Sequence, residues 1–299
     1  MFQDLKGAAS FISVERGLML FMISVAATFL IAEVISWPVA LFLGFTVFCV
    51  WSAVDAMNNV YDVELDTLSD PLRAKYTKRL GKVGLLVVYA FVAISLLLGA
   101  VTQMPIVLLF VALGLTFGVL YSVPPFRLRQ TKYKPLVNFT VGAIPILIVA
   151  AFFSVYSIEV AALVLLIGAT TAINSLWEDL ADYDSDSANN AQTMPVLLGF
   201  RNGLLFTIVM GYALIPLMIV VGVLFQLSTI YYVSLVVLAA LISFRLYRER
   251  NTLLIKTGPS SKRLLQLGTR LAKDFVIIAL LFTASLMISS LLKISPVFF

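Results

Sequence analysis

The stretch Glu178-Asp179-Leu180-Ala181-Asp182-Tyr183-Asp184-Ser185-Asp186 places five carboxylates in nine residues, directly after an apolar run over residues 160–173. A helix turns by about 100° per residue, so Asp179, Asp182 and Asp186 fall within about 60° of one another on one helix face. Like charges at this spacing repel one another. A hard divalent cation bound by their oxygens is the simplest way to hold them together, so we predict a metal site here.

An earlier stretch also has carboxylates at helical spacing after an apolar run. Asn58, Asp62 and Asp66 recur at every fourth position after the apolar run over residues 39–54, and the Asn58 amide can supply a neutral oxygen ligand. The two clusters together hold ten of the chain's sixteen acidic residues. We therefore predict that two oxygen-rich helix ends meet across a central cavity and share divalent cations.

The composition excludes an ordinary soluble domain. Apolar residues make up 61% of the chain and charged residues 12%, where about 25% is usual, and the mean hydropathy is +1.02. We predict an all-α polytopic membrane protein, with nine transmembrane helices around a central cavity, because nine apolar runs can cross about 30 Å of hydrocarbon. These runs cover residues 17–36, 39–57, 83–101, 104–121, 136–154, 157–176, 203–223, 228–246 and 274–292.

Basic residues predict the orientation of these spans. Of the 21 Lys and Arg residues, 20 lie in segments that nine alternating spans would place on one face. Short basic loops stay in the cytoplasm, so we predict a cytoplasmic N-terminus and a cytoplasmic face for both acidic clusters in the cell membrane. The net charge of +5 then reflects contact with the bilayer surface. Neither nucleic acid nor a required protein partner is predicted.

The residue types also limit the chemistry. The chain has no histidine, and its single cysteine, Cys49, lies inside the second predicted span, which excludes zinc sites and Ser-His-Asp triads. Magnesium takes many of its ligands from substrate phosphates. A substrate for such a site would have a diphosphate group outside the hydrocarbon and an apolar chain among the spans. An isoprenyl diphosphate has both parts. Departure of the diphosphate would leave an allylic carbocation, which an acceptor attacks.

The domain prediction rests on the positions of the acidic clusters. We predict one transmembrane domain over residues 1–299, in which residues 1–135 and 136–257 suggest duplicated four-helix units and residues 274–292 add a ninth helix. The preceding stretch, residues 259–271, is amphipathic, with leucines on one side of a helix and bases on the other. We expect it to lie on the cytoplasmic membrane surface.

Polar residues near the predicted span ends are further candidates for binding substrate. They are Arg16, Arg73, Tyr121, Arg127, Asn138 and Asn174. The basic residues and the tyrosine are either ordinary anchors at the membrane surface or contacts to the substrate phosphates. The asparagines either bond to neighbouring helices or face the interior of the bundle.

Three motifs give the chain a resemblance to the UbiA superfamily of intramembrane prenyltransferases. The family motif N-x-x-x-D-x-x-x-D is matched by Asn58, Asp62 and Asp66, and D-x-x-D-x-x-x-D by Asp179, Asp182 and Asp186. The segment Tyr121-Ser122-Val123-Pro124-Pro125-Phe126-Arg127-Leu128-Arg129 resembles one in archaeal and chlorophyll-synthase-like members. The resemblance covers nearly the whole chain.

The resemblance implies roles for these residues. It implies that both aspartate motifs bind Mg²⁺-diphosphate, with Asp62, Asp66, Asp179 and Asp182 as the catalytic carboxylates. It implies that Arg73, Tyr121 and Arg127 contact the diphosphate or position the acceptor, and that Arg16 matches the basic residue that opens the family's first span. The chain departs from the family where Asn59 replaces an aspartate, Gly17 replaces a proline, and Ser69-Asp70-Pro71 replaces Asn-Arg-Pro.

The function that follows is Mg²⁺-dependent transfer of a prenyl group, from geranylgeranyl diphosphate in our prediction, to a lipophilic acceptor. Abundant bases favour an anionic acceptor such as geranylgeranylglyceryl phosphate. An aromatic acceptor, a quinone or porphyrin precursor, is the first alternative. The second alternative is a divalent-cation or lipid transporter, although such a pathway needs polar residues deep in the membrane, and this chain has few there.

Overall fold

The computed structural model describes residues 2–33, 36–64, 67, 71–253 and 262–294, and in this part of the chain all regular structure is helical. Nine of these helices are long and apolar enough to cross a membrane. They are numbered here as spans 1 to 9: Val14–Ala32, Trp37–Tyr61, Lys82–Val101, Pro105–Ser122, Lys134–Phe153, Ile158–Ala181, Phe200–Leu224, Thr229–Arg248 and Lys262–Ile294. The shorter helices are Phe2–Phe11, Pro71–Leu80, Tyr183–Ala188, Met194–Leu198 and Arg250–Leu253.

The local sequence explains where several spans begin and end. Apolar runs of this length become helices in lipid because only a helix satisfies its own backbone groups. Span 4 begins with Pro105, which suits the first helical turn, and it ends at Ser122, just before Pro124 and Pro125. Span 7 begins after Gly199, whose φ of 76° is a backbone conformation that favours glycine.

The chain forms two compact units. Unit 1 comprises Met1–Arg129 and Ala143–Val160, and unit 2 comprises Gln130–Gly142 and Ala161–Phe299. In unit 1, span 2 packs against spans 1, 3 and 4. In unit 2, span 8 packs against spans 7 and 9. The predicted duplication at residues 1–135 and 136–257, the single transmembrane domain and the central cavity stay predictions.

Span 2 lies at the centre of unit 1, and small residues let its neighbours approach. At Gly118 of span 4, a Cβ atom would lie 2.5 Å from Cγ2 of Val54 in span 2. A larger residue would therefore force the two helices apart, which is the usual reason for small residues at membrane helix contacts. This packing fixes the end of span 4 beside the end of span 2, where the first acidic cluster begins.

The ninth span is longer than predicted. Its helix begins at Lys262, so the described part of the stretch expected on the membrane surface is the first portion of span 9. Leu267 and Leu271 are buried, and Gly268 lies against the ring of Phe200. The leucines thus pack on protein rather than on lipid headgroups, which corrects the predicted boundaries of 274–292.

Candidate active site

The first acidic cluster is centred on Asp62, which ends span 2. The side chain of Asp62 is fully buried, and its carboxylate pairs with two arginines from the segment after span 4. Arg127 Nη2 donates to Oδ1 at 3.1 Å, and Arg129 Nη1 donates to Oδ2 at 2.5 Å. A buried carboxylate needs this compensation, because an isolated buried charge costs several kcal/mol.

The two arginines reach Asp62 because of the backbone path after span 4. The two prolines stop the helix, Arg127 adopts a left-handed conformation with φ 41°, and a 3₁₀ turn follows at Leu128–Gln130. Arg127 Nη2 also donates to the carbonyl of Tyr61 at 2.9 Å, at the last residue of span 2. An arginine at positive φ is uncommon, and such strained positions concentrate at functional sites.

The two asparagines of the first motif have different partners. Asn58 Oδ1 accepts from Ser122 Oγ at 3.3 Å and from Arg129 Nη1 at 3.4 Å, so it belongs to the Asp62 cluster. Asn59 Nδ2 donates to the carbonyl of Phe11 at 2.7 Å. An ionised aspartate could not make that bond, because it has no donor. Asn59, where the family has an aspartate, therefore anchors the N-terminal helix.

The second cluster is centred on Asp179 in the last turn of span 6. Asp179 is fully buried, and its Oδ1 accepts a hydrogen bond from Nζ of Lys134, which begins span 5 and is itself buried. The same Nζ lies 3.9 Å from Oε2 of Glu178. Oδ2 of Asp179 is buried and has no hydrogen-bond partner among the described residues.

Two asparagines support this second ion pair. Asn174 Nδ2 donates to Oε1 of Glu178 at 2.9 Å, one helical turn away on span 6. Asn138 Nδ2 donates to the backbone carbonyl of Lys134 at 3.0 Å, one turn away on span 5. Both predicted substrate contacts thus lie beside the cluster, and in the structure their amides hold residues of the cluster.

The remaining carboxylates of the second motif lie on a separate short helix. We predicted one continuous helix face, but span 6 ends at Ala181 and Asp182 begins the helix Tyr183–Ala188. Asp182 and Asp186 are half-buried, whereas Asp184 is exposed. Thr193 Oγ1 donates to Oδ2 of Asp186 at 3.2 Å, and Thr193 is itself buried. Because the helix breaks after Ala181, Asp179 is fully buried, whereas Asp182 and Asp186 are only half-buried.

The other predicted site residues are spread over several elements. Arg16 lies in the first turn of span 1, Arg73 in the helix Pro71–Leu80, and Tyr121 near the end of span 4; all three are half-buried. Asp66, predicted as a metal ligand, and Asp70 lie outside the described residues.

The donor set suits a magnesium ion, although no three His, Cys, Asp or Glu side chains converge in a metal-binding arrangement within the described ranges. Magnesium in phosphate-binding sites typically uses one or two carboxylates and completes its shell with phosphate oxygens and water. The buried Oδ2 of Asp179 is a free oxygen of the required type. Both oxygens of Asp62 accept from arginines and the side chain is fully buried, so a metal ion could reach Asp62 only after those arginines shift.

Arg129 and Lys134 are the contacts that sequence reasoning missed. Each reaches the central carboxylate of one cluster, yet neither was among the predicted site residues. Both belong to a basic segment that also includes Arg127 and Lys132, and a membrane-surface segment is expected to be basic. A buried carboxylate at a span end was the available signal, because it requires a cation nearby.

These observations define a class of protein: a polytopic membrane protein with buried, cation-paired aspartates at the ends of two spans. A sequence model of the UbiA prenyltransferase family matches residues 19–256. The chain belongs to that family. The match confirms the predicted family and its enzyme class, a membrane prenyltransferase. Among curated protein sequences, none matches the chain.

Solved structures agree with the fold. A UbiA homolog from Aeropyrum pernix K1 shares 20% identity over 92% of this chain and 98% of that chain, with a TM-score of 0.69. A UbiA homolog from Archaeoglobus fulgidus, bound to GPP and Mg²⁺, shares 20% identity over 97% and 99% of the two chains, with a TM-score of 0.63. A digeranylgeranylglyceryl phosphate synthase structure shares 15% identity over 96% and 98%, with a TM-score of 0.64. The predicted all-helical membrane fold is therefore confirmed.

Proposed function

We propose that this protein uses Mg²⁺ to transfer the prenyl group of an allylic prenyl diphosphate, with geranylgeranyl diphosphate as donor, to a lipophilic acceptor in the membrane. Family membership supports the prenyltransferase activity. The likeness to an archaeal homolog bound to GPP and Mg²⁺ supports the donor class and the metal. The likeness to a digeranylgeranylglyceryl phosphate synthase supports geranylgeranylglyceryl phosphate as the acceptor.

The pairing of each buried aspartate with cations of the chain is the observation that carries this proposal. Asp62, at the end of span 2, accepts from the guanidinium groups of Arg127 and Arg129. Asp179, at the end of span 6, accepts from the ammonium group of Lys134, and its second oxygen has no hydrogen-bond partner among the described residues. Guanidinium groups suit a diphosphate, and an available carboxylate oxygen suits Mg²⁺.

Different side chains act on different groups during the reaction. The bond between the allylic carbon and the diphosphate oxygen breaks, and the electron pair leaves with the diphosphate. Arg127 and Arg129 stabilise that charge by charge-assisted hydrogen bonds, and in turning to the diphosphate they release the oxygens of Asp62. Asp179 and Asp182 would hold Mg²⁺, which would neutralise further charge on the diphosphate. An acceptor oxygen then bonds to the allylic carbon, and the proton of that oxygen passes to the released diphosphate.

The other assignments extend this proposal. Asp66 and Asp186 complete the metal ligands. Contacts to the diphosphate or the acceptor are assigned to Arg16, Asn58, Arg73, Tyr121, Asn138 and Asn174. We place the reaction at the cytoplasmic face of the cell membrane, because the basic segments would lie there.

The test uses the full chain reconstituted in liposomes with labelled geranylgeranyl diphosphate, Mg²⁺ and either geranylgeranylglyceryl phosphate or an aromatic acceptor. Asp182→Asn should lower product formation at least about a hundredfold, because it removes a charged group that acts in the transition state. Asp184→Asn is the matched control, since Asp184 lies two residues away and is exposed. Its activity should equal that of the unsubstituted protein.

Each outcome decides one part of the proposal. Diphosphate release that persists unchanged in the Asp182→Asn variant would refute the assignment of the second cluster. Labelled product with the aromatic acceptor alone would replace the glycerophosphate acceptor with an aromatic one. Ion flux through the same liposomes without any labelled product would favour the transporter alternative.

A further inference from the structure

Unit 2 contains a cavity of about 320 Å³ that the proposed reaction does not use. Spans 7, 8 and 9 form its walls together with Trp177 of span 6, and its volume is within the range of ligand pockets, roughly 300–1,000 Å³. Trp177 and Asp179 are two residues apart on span 6, so about 200° separates their directions around the helix axis. The cavity therefore lies on the side of span 6 opposite the second cluster.

The cavity is apolar along most of its length and charged at one end. Its apolar lining includes Ile215, Leu241 and Ile278. The charged groups are Arg245 and Arg248 in the last turn of span 8 and Asp274 of span 9. A ligand that fills this space must have an apolar part and a polar part at one end.

The charged end has an excess of positive charge. Arg245 Nε donates to Oδ2 of Asp274 at 3.0 Å, so these two charges compensate each other. Arg248 is three residues further along span 8, and thus on the same side of the helix. It is exposed, and no carboxylate of the described residues pairs with it. The polar part of a matching ligand is therefore an anion.

The side chain of Trp177 is a second indication that the cavity binds a ligand. Its side chain is buried with 6% exposure, and its Nε1 has no hydrogen-bond partner among the described residues. A buried donor without a partner costs about 1–3 kcal/mol. An oxygen atom of a ligand in the cavity could accept this hydrogen bond and remove that cost.

The surroundings of the cavity indicate the bilayer as the source of the ligand. Spans 7 and 8 are mostly unburied, and large apolar side chains such as Val236, Leu241 and Phe244 are exposed along span 8. In a membrane protein such a surface faces lipid chains. A molecule that enters between these spans would come from the lipid phase.

We propose that this cavity binds an anionic glycerophospholipid, with its phosphate on Arg248 and one acyl chain between spans 7, 8 and 9. Basic pockets between membrane helices recognise anionic headgroups in this way. The pair of Arg245 and Asp274 forms the rim beside the headgroup, and an ester oxygen accepts from Trp177. This lipid site is independent of the proposed prenyl transfer, because no residue of the two acidic clusters takes part.

The test follows the thermal unfolding of the detergent-purified full chain while lipid is added. Phosphatidylglycerol should raise the unfolding midpoint through binding to the folded state, and phosphatidylcholine should not. Arg248→Gln should raise the phosphatidylglycerol concentration needed by about five- to tenfold. Arg250→Gln is the matched control for charge, because Arg250 is exposed nearby but does not line the cavity.

Gly211 provides an independent test of the apolar part. A Cβ atom at Gly211 would meet nothing within 4 Å, and Gly211 lines the cavity. Gly211→Phe should fill the space and abolish the phosphatidylglycerol effect, whereas Gly211→Ala should preserve it. If Gly211→Phe does not fold, Gly211→Leu replaces it.

Three results would overturn the proposal. The first is an equal effect of phosphatidylcholine, which would indicate ordinary lipid solvation. The second is an equal effect of inorganic phosphate, which would indicate a soluble anion as the ligand. The third is a full phosphatidylglycerol effect in either the Arg248→Gln or the Gly211→Phe variant.

Discussion

The ion pair between Lys134 and Asp179 is the contact whose removal should cost unit 2 the most stability. The ammonium donates directly to Asp179 Oδ1, and the two side chains are 7% and 0% exposed. Replacing Lys134 with methionine keeps the length and apolar volume of the side chain but removes its charge. Asp179 would then be a buried carboxylate without its cation.

The burial of both partners decides the expected magnitude. An exposed ion pair contributes about 0–1 kcal/mol, because water already solvates its charges. Breaking a buried pair by removing one partner costs about 3–5 kcal/mol, since the remaining charge has neither water nor counter-charge. We expect Lys134→Met to lower the free energy of unfolding by about 3–5 kcal/mol.

The double variant Lys134→Met with Asp179→Asn separates the charge effect from lost packing. It removes both charges and leaves side chains of similar size. If the unpaired charge is the cause of the loss, the double variant should recover at least about 2 kcal/mol relative to Lys134→Met alone. A cycle of the two single variants and the double variant measures this coupling.

The assay is equilibrium unfolding of the detergent-purified chain, followed by tryptophan fluorescence. Lys132→Met is the matched control, because Lys132 is exposed in the same segment and should change stability by less than about 0.5 kcal/mol. The reasoning is refuted if Lys134→Met is as stable as the Lys132→Met control. It is equally refuted if the double variant is no more stable than Lys134→Met.

Three further substitutions test individual contacts. Arg129→Gln should raise the KM for prenyl diphosphate about tenfold to a hundredfold in a steady-state assay, because one charge-assisted contact is lost, while Lys132→Gln leaves it unchanged. Thr193→Val should lower kcat several-fold, because the carboxylate of Asp186 loses the hydrogen bond from Thr193, and Thr193→Ser should restore it. Gly118→Ala should destabilise the protein by about 1–3 kcal/mol in an unfolding titration, because the added methyl overpacks the contact with span 2; unchanged stability would contradict that packing.

Most of the fold could be predicted from the sequence because each membrane span needs a long apolar run. Eight of the nine predicted spans begin and end within a few residues of the observed helices. Span 9 was the exception, since its first portion has leucines on one side and bases on the other. That pattern is typical of a helix on the membrane surface. Its burial depends on Phe200, which is distant in sequence, so the pattern alone could not reveal it.

The acidic clusters could be predicted from spacing, whereas their cationic partners could not. Arg127, Arg129, Lys132 and Lys134 lie within eight residues and give the same signal, a basic segment at the membrane surface. The structure distinguishes them through backbone features: the left-handed conformation at Arg127, the 3₁₀ turn after it, and the start of span 5 at Lys134. These features depend on how the segment packs, which spacing does not report.

The positions of Asp62 and Asp179 indicate whether the protein needs Mg²⁺ to stay folded. Asp62 ends span 2 and Asp179 lies in the last turn of span 6, so both carboxylates sit at helix C-termini, where the helix dipole adds negative charge. The chain's own cations already compensate this charge at Arg127, Arg129 and Lys134. Removing Mg²⁺ should therefore leave the protein folded.

Mg²⁺ together with a non-hydrolysable prenyl diphosphate analogue should stabilise the protein far more than Mg²⁺ alone. The reason is that the diphosphate must first attract the arginines before the oxygens of Asp62 become available to metal. Thermal unfolding with chelator, with Mg²⁺, with analogue and with both measures this dependence, and the shift with both should exceed the sum of the separate shifts. Equal stabilisation by Mg²⁺ alone would show that the arginines do not control access to Asp62, and the exchange of partners proposed for the first cluster would have to be abandoned.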